Sequence, residues 1–89
     1  MKLFAVLLGG SGVPGRLSED HETVFVIAED ERSAKKAAKA KWAGYGRPHV
    51  DALVSLDHVD GFDISVVPGG TVPEGAFVSY NDLPHDEED

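Results

Sequence analysis

The chain has 89 residues, no cysteine and a formal net charge of −8 at pH 7. The length predicts one domain, the missing cysteine excludes disulfides and thiolate metal sites, and the acidic balance argues against general nucleic-acid binding. The apolar run near the N-terminus is shorter than a signal peptide or a membrane span requires. We therefore expect a cytoplasmic protein without membrane contact, with a domain over residues 1–80 and a disordered acidic tail over 81–89.

Two segments at the start of the chain, residues 2–8 and 23–28, are predicted to be β-strands. Both carry apolar side chains at odd and at even positions. Because successive side chains of a strand point to opposite faces, this pattern indicates strands that are buried on both sides.

A glycine motif of the form G-x-G-x-x-G occupies residues 10–15 between these strands, and Asp30 follows 20 residues after Gly10. That spacing is typical of dinucleotide-binding folds. However, a phosphate site requires a helix that begins at the glycines, and Pro14 removes one of the N–H donors there. An acidic run and a second strand follow directly. We interpret the motif as a long hairpin connection between two strands.

A helix is predicted over residues 31–43, with Asp30 as its N-cap and Gly44 at the left-handed position after its end. Its apolar stripe is made of small side chains and one large one. The stripe comprises Ala34, Ala37, Ala38 and Trp42. Alanines permit close approach to a sheet, and Trp42 is expected to anchor the end of the helix.

The second half of the chain predicts a hairpin. After a loop at residues 44–48, strands at 54–59 and 62–67 flank the pair Asp60-Gly61, which favours a type I′ turn. A loop at 68–75 and a short fifth strand or arm at 76–80 complete the chain. The predicted fold is α+β in the order ββαββ, with a mainly antiparallel four- to five-stranded sheet and one helix on one face.

One short helix covers only one face of such a sheet, yet the first two strands are apolar on both faces. An exposed apolar patch of that size marks an interaction surface. We therefore predict a homodimer that uses the second face or an edge of the sheet. The alternative is that the loops at 9–22 and 68–75 cover this face.

Two H-x-D pairs, His49-Val50-Asp51 and His58-Val59-Asp60, combine side chains that zinc and manganese accept as ligands. Neither pair has a third ligand at a fixed spacing, and His58 runs into the turn. His21 lies in an acidic run and is interpreted as part of a solvated strand entry rather than as a general base. No nucleophile motif is present, so the sequence predicts no catalytic residue, no metal and no cofactor.

Four basic residues share one side of the helix at the spacing of helical neighbours, and they form a candidate anion-binding face. They are Arg32, Lys35, Lys36 and Lys39. RNA, a phosphate ligand or an acidic protein would suit this face. A solvated outer surface is the simpler interpretation, and nucleic acid is not expected as a partner.

Several segments together resemble a bacterial family of unknown function, domain-of-unknown-function family 1543. They are MKLFAVLLGG at residues 1–10, HETVFVIA at 21–28, AKW at 40–42, HVD at 49–51 and VDGF at 59–62. The matched positions are Gly9, Gly10, His21, Trp42, His49, Asp51, Asp60 and Gly61. The resemblance implies a unit that occurs once or twice per chain, which agrees with a dimer, and it implies no catalytic residue or ligand.

The leading hypothesis is a small self-associating domain that acts as a binding or interaction module. The alternative is an enzyme or small-ligand-binding dimer with a site at the interface, near His21, His49 and the loop at 9–15. RNA binding through the lysine-rich helix is a weaker alternative. The candidate ligand or interface residues are Gly9, Gly10, His21, Trp42, His49 and Asp51. A ligand site at the interface requires His21, His49 and residues 9–12 to surround one pocket, whereas a plain interaction module would scatter them.

Overall fold

The computed structural model describes residues 1–11, 14, 15 and 18–70. Within this part, one helix and five strands follow one another along the chain. They are β1 (Lys2–Ser11), β2 (Asp20–Ala28), α1 (Glu31–Ala40), β3 (Tyr45–Ser55), β4 (His58–Val59) and β5 (Phe62–Asp63). The helix has neither the length nor the apolarity to span a bilayer.

The main sheet has three antiparallel strands in the order β2-β1-β3, and β4 and β5 pair separately as a small hairpin. The α+β class and the antiparallel pairing agree with the prediction. The single four- to five-stranded sheet does not: in the described residues the predicted fourth strand is reduced to an arm of the separate hairpin. The predicted fifth strand at 76–80 and the acidic tail lie outside the described residues.

The first hairpin is longer than predicted, because β1 continues through the first two glycines. Gly9 pairs with His21 and Gly10 pairs with Asp20, so β2 begins at Asp20 rather than at Thr23. Antiparallel pairing of β1 with β2 is incompatible with the parallel βαβ unit of a dinucleotide site. The interpretation of the glycine motif as a hairpin connection is therefore confirmed.

The predictions of a loop at 44–48 and of a strand at 54–59 were wrong, because β3 runs from Tyr45 to Ser55. Its pairing with β1 is interrupted at two points, between Leu7 and Leu8 and between Gly9 and Ser11 of β1. These bulges disturb the alternation of apolar and polar residues that would reveal a strand. Pro48 is tolerated because β3 is an edge strand, where a missing N–H need not weaken the sheet.

The helix begins as predicted. The Asp30 side chain accepts a hydrogen bond of 2.8 Å from the backbone N–H of Ser33, and this bond together with one involving the Ser33 side chain lowers the pKa of Asp30. The helix ends at Ala40 with Lys41 as the C-cap, three residues earlier than predicted. Gly44 is consequently not a helix cap. A Cβ at Gly44 would lie 2.2 Å from the Trp42 ring, so this glycine serves close packing.

The core lies between the helix and one face of the sheet, here called the helix face. Its buried residues are Phe4, Val6, Leu8, Val26, Ala28, Ala34 and Ala38. Ala37 packs against this core from within the helix, and Trp42 packs against it just after the helix end, as the apolar stripe predicted. Since alanines bring the helix close to the strands, one short helix buries the centre of this face, while Val24, Val50 and Leu53 at its margins are partly buried.

The opposite face of the sheet is here called the open face, because α1 is the one described element that packs on the sheet. Its residues come from alternate positions of β1 and β2 and from both sides of a bulge in β3. They are Leu3, Ala5, Leu7, Gly9, His21, Thr23, Phe25, Ile27, His49, Asp51, Ala52 and Val54.

The small hairpin confirms the predicted turn. Asp60 and Gly61 have φ values of 54° and 82°, the positive values that a type I′ turn requires at both central residues. Each arm pairs over only two residues, however, which is shorter than the predicted strands. Within the described part of the chain, neither arm packs against the helix or the main sheet.

Candidate functional site

Gly9 lies at the centre of the polar end of the open face. In the register of the sheet it is opposite His21 on one side and His49 on the other. The strands of these histidines are about 9.5 Å apart, since neighbouring strands are separated by ~4.8 Å. A Cβ on Gly9 would lie 2.9 Å from His49 Nε2 and 3.2 Å from His21 Cδ2. The absence of a side chain therefore allows the two imidazoles to approach each other above the central strand.

Asp51 reaches the same point because of the bulge in β3. Leu7 pairs with Ala52 and Leu8 pairs with Val50, so Asp51 is the extra residue between them. Before the bulge the odd positions of β3 face the open side, and after it the even positions do. The bulge thus allows His49, Asp51 and Ala52 to share one face, which a regular strand cannot do.

The Asp51 carboxylate lies between the two histidines. Its Oδ2 is 2.9 Å from His21 Nε2, and its Oδ1 is 3.0 Å from His49 Nε2. These are hydrogen-bond distances, so each imidazole donates from Nε2 to a different oxygen of one carboxylate. Roughly half of each imidazole is exposed, whereas Asp51 is about one third exposed. The arrangement is accessible from solvent.

Glu19 completes the group, here called the polar cluster and consisting of Glu19, His21, His49 and Asp51. Glu19 Oε2 is 3.4 Å from His49 Nε2 and 3.8 Å from His21 Nε2. Glu19 belongs to the acidic run before the second strand and was not among the predicted site residues. The signal that could have identified it is its spacing: Glu19 directly precedes β2 and lies two residues before His21, so an extended backbone there places both side chains on one face.

The predicted site residues divide between the two faces of the sheet. Gly9, His21, His49 and Asp51 come together, which meets one part of what the ligand-site hypothesis requires, whereas residue 12 lies outside the described residues. Gly10 and Trp42 lie instead on the helix face, where a Cβ on Gly10 would be 3.0 Å from the Trp42 ring. The indole N–H of Trp42 points to the backbone oxygen of Tyr45 at 3.4 Å. These two residues belong to the packing of the helix end.

The second H-x-D pair takes a different partner. His58 Nδ1 lies 2.8 Å from the Asp63 carboxylate, across the small hairpin, while Asp60 is used in the turn. The side chains of His58 and Asp63 are both largely exposed. The described residues place no further histidine or carboxylate with them as a metal-ligand group.

The candidate anion-binding face lies on the outer side of the helix. Arg32, Lys35, Lys36 and Lys39 are all exposed there. They point away from the sheet, so they take no part in the polar cluster. The C-terminal end of the helix is joined to β2 by Lys41, whose ammonium group donates a hydrogen bond to the Phe25 backbone oxygen at 2.7 Å.

The rest of the open face is apolar. A shallow depression at its centre is lined by Ala5, Leu7, Thr23, Ala52, Leu53 and Val54. A second groove begins at Ile27 and is lined by Met1 and by residues 66–69. Phe25, Ile27 and Val54 are each about half exposed, at 56%, 46% and 51%. The face therefore combines a polar cluster at the Gly9 end with an apolar surface on which no described helix or strand packs.

These features define a small α+β domain in which one helix covers one side of an antiparallel sheet. The chain belongs to the family described as Domain of Unknown Function (DUF1543), whose model matches residues 16–66. The match includes β2, α1, β3, the small hairpin and all four residues of the polar cluster, while β1 lies outside it. No curated protein and no solved structure matches the chain.

Proposed function

We propose that this domain is a self-associating interaction module, in which two copies pair through the apolar part of the open face. The observation that carries the proposal is the exposure of Phe25, Ile27 and Val54 on a face that no described helix covers. Burying one large apolar side chain contributes about 1.5–3 kcal/mol relative to full exposure. A two-fold dimer would bury each of these residues twice, once in each copy.

A second copy is the partner that this surface fits best. The apolar part of the open face carries no charged residue at positions 3, 5, 7, 23, 25, 27, 52 and 54. It therefore imposes no charge requirement on its partner, and it can meet its own copy without like-charge repulsion.

The small hairpin supports the same proposal. Phe62 is 72% exposed and Val59 is also exposed, although an isolated two-stranded hairpin is marginally stable in water. Contact with a second copy would bury these side chains and stabilise the arm. In the proposed dimer the hairpin contributes to the contact, with the open face as its principal part.

The test is the mass of the particle in solution as a function of concentration. The wild-type chain is expected to have twice the monomer mass of 9.5 kDa by light scattering and sedimentation at micromolar concentration and above. Phe25→Lys and Ile27→Lys are expected to give folded monomers. Ala40→Lys, on the exposed end of the helix, is the matched control and should leave the dimer intact.

Trp42 makes the result interpretable, because it lies on the helix face and its fluorescence reports folding independently of the proposed contact. A wild-type monomer at all concentrations would contradict the proposal. So would Phe25→Lys and Ile27→Lys variants that keep the dimer mass. A monomer in which the chain's own residues 71–89 protect the open face from hydrogen exchange would identify a different occupant and also reject the dimer.

A further inference from the structure

The polar cluster supports an inference beyond self-association, because it brings together more ligand atoms than either H-x-D pair provides. One ligand atom each from Glu19, His49 and Asp51 lies within 4.8 Å of the other two. His21 is 2.9 Å from the second oxygen of Asp51. The third ligand that the linear sequence does not provide comes from the pairing of β1 with two neighbours.

The separations agree with the coordination sphere of a transition metal. Ligand atoms at 2.0–2.2 Å from a tetrahedral ion are about 3.3–3.6 Å apart. His49 Nε2 lies 3.0 Å from Asp51 and 3.4 Å from Glu19. The third separation, between Glu19 and Asp51, is at most 4.8 Å, so rotation of these exposed side chains would bring all three ligand atoms around one ion.

Hydrogen bonds account for the contacts of Asp51 with the two imidazoles but not for the position of Glu19. Each imidazole has one Nε2 atom, and both are within hydrogen-bond distance of Asp51. The distances from these atoms to Glu19 exceed the usual 2.7–3.2 Å of such a bond. Two carboxylates thus converge on two imidazoles, and with neutral imidazoles the cluster has two negative charges. A divalent cation matches that charge, whereas an anionic ligand would be repelled.

We propose that Glu19, His49 and Asp51 bind a divalent transition-metal ion such as Zn²⁺, with His21 as a positioning residue. The imidazole nitrogen favours such an ion over Mg²⁺ or Ca²⁺, which prefer oxygen ligands. His21 donates from Nε2 to the far oxygen of Asp51 and so orients the carboxylate. Three protein ligands leave one tetrahedral position accessible to solvent, which is where a small ligand or water would bind.

The experiment is calorimetric titration of the full, tag-free chain with ZnCl₂, and with MgCl₂ for comparison. The wild type is expected to bind one Zn²⁺ per chain with micromolar or tighter affinity and Mg²⁺ at least 100-fold more weakly. His49→Ala, Asp51→Asn and Glu19→Gln should each weaken Zn²⁺ binding by tenfold or more. These residues are exposed, and Trp42 fluorescence with circular dichroism verifies that each variant is folded.

The positioning role of His21 has its own readout. His21→Ala is expected to lower the affinity by about 10–100-fold, the usual effect of removing such a partner. His21→Gln, which keeps an N–H donor, should restore most of it and give the wild-type visible spectrum when Co²⁺ replaces Zn²⁺. Equal losses in both variants would instead make His21 a direct ligand and overturn the positioning role.

The small hairpin supplies the matched control. His58 and Asp63 form a histidine–carboxylate pair at 2.8 Å without a second carboxylate. His58→Ala should therefore leave Zn²⁺ binding unchanged. Absence of binding at 100 μM Zn²⁺, or equal affinity in the wild type, His49→Ala and Asp51→Asn, would overturn the proposal. Because Phe25→Lys tests the dimer separately, the loss of one property is distinguishable from the loss of the other.

Discussion

The two faces of the three-stranded sheet have the same backbone, yet they differ in what their side chains do. On the helix face, Phe4, Val6 and Leu8 are buried under two alanines of the helix. On the open face, Phe25 and Ile27 remain about half exposed, and two histidines and two carboxylates gather above Gly9. One face holds the domain together, whereas the proposed dimer contact and the proposed metal site both lie on the other.

The largest expected effect comes from truncating one phenylalanine on each face. Phe4→Ala should lower the free energy of unfolding by about 3–5 kcal/mol, because Phe4 is 2% exposed and its removal leaves a cavity. Phe25→Ala should lower it by less than about 1.5 kcal/mol, since the side chain is already half in water. Urea denaturation at concentrations where both variants are monomeric measures the difference. Equal losses would contradict the assignment of one structural and one binding face.

A second comparison tests how closely the helix lies on the sheet. Ala38→Leu should destabilise the fold by about 1–3 kcal/mol, since Ala38 is fully buried and a larger side chain would force the helix outward. Ala40→Leu, on the exposed side of the same helix, should change stability by less than about 0.5 kcal/mol. If both substitutions are tolerated equally in thermal unfolding, the small-residue contact does not limit the packing.

Two adjacent glycines, Gly9 and Gly10, face opposite sides of β1, so substitutions there test each face separately. A Cβ on Gly9 would lie 2.6 Å from Asp51 Oδ2 and would displace the ends of the cluster side chains. Gly9→Ala should therefore reduce Zn²⁺ affinity by about tenfold or more. Those atoms are flexible and exposed, so the loss of stability should be small.

Gly10→Ala is the matched control. Its Cβ would lie 3.0 Å from the Trp42 ring, on the helix face. This variant should shift Trp42 fluorescence and leave Zn²⁺ affinity unchanged. Calorimetry and emission spectra of the two variants give the result. Unchanged Zn²⁺ affinity in Gly9→Ala together with reduced Zn²⁺ affinity in Gly10→Ala would reverse the assignment of the faces.

The smallest effect concerns the cap of the helix that covers the helix face. The pKa of Asp30 is lowered in the fold by the hydrogen bonds with Ser33. Its carboxylate therefore stabilises the native state at pH values above the ordinary pKa of 3.8. This contribution is lost as the pH falls below that value, through the lower pKa of the folded state. Asp30→Ala should lower the melting temperature slightly at pH 7, and the difference from wild type should shrink below pH ~3.8.

Asp30→Asn separates the charge of this cap from its hydrogen bond. Asparagine keeps an acceptor for the Ser33 N–H, so it should retain most of the stability at every pH. A difference between wild type and Asp30→Ala that is independent of pH would show that the ionised carboxylate is not the stabilising form.

Elements with a local signal were predictable from the sequence. The N-cap at Asp30, the alanine stripe and the Asp60-Gly61 turn each depend on a few neighbouring residues, and all three are present in the structure. The third strand was not predictable, since two bulges and Pro48 disturb its alternating pattern. The role predicted for Gly44 was wrong for a related reason. This glycine accommodates the Trp42 ring and does not end the helix.

The candidate site shows the same division. Local sequence was sufficient to select His21, His49 and Asp51 as residues with binding chemistry and to place Gly9 and Gly10 among the candidate site residues. It did not separate Gly9 from Gly10, whose side-chain directions depend on which face the helix covers. It also did not join Glu19 to His49, because residues 30 positions apart meet only when β2 and β3 flank β1. Local hydrogen bonding and side-chain size specify the elements, whereas register and the β3 bulge decide which side chains meet.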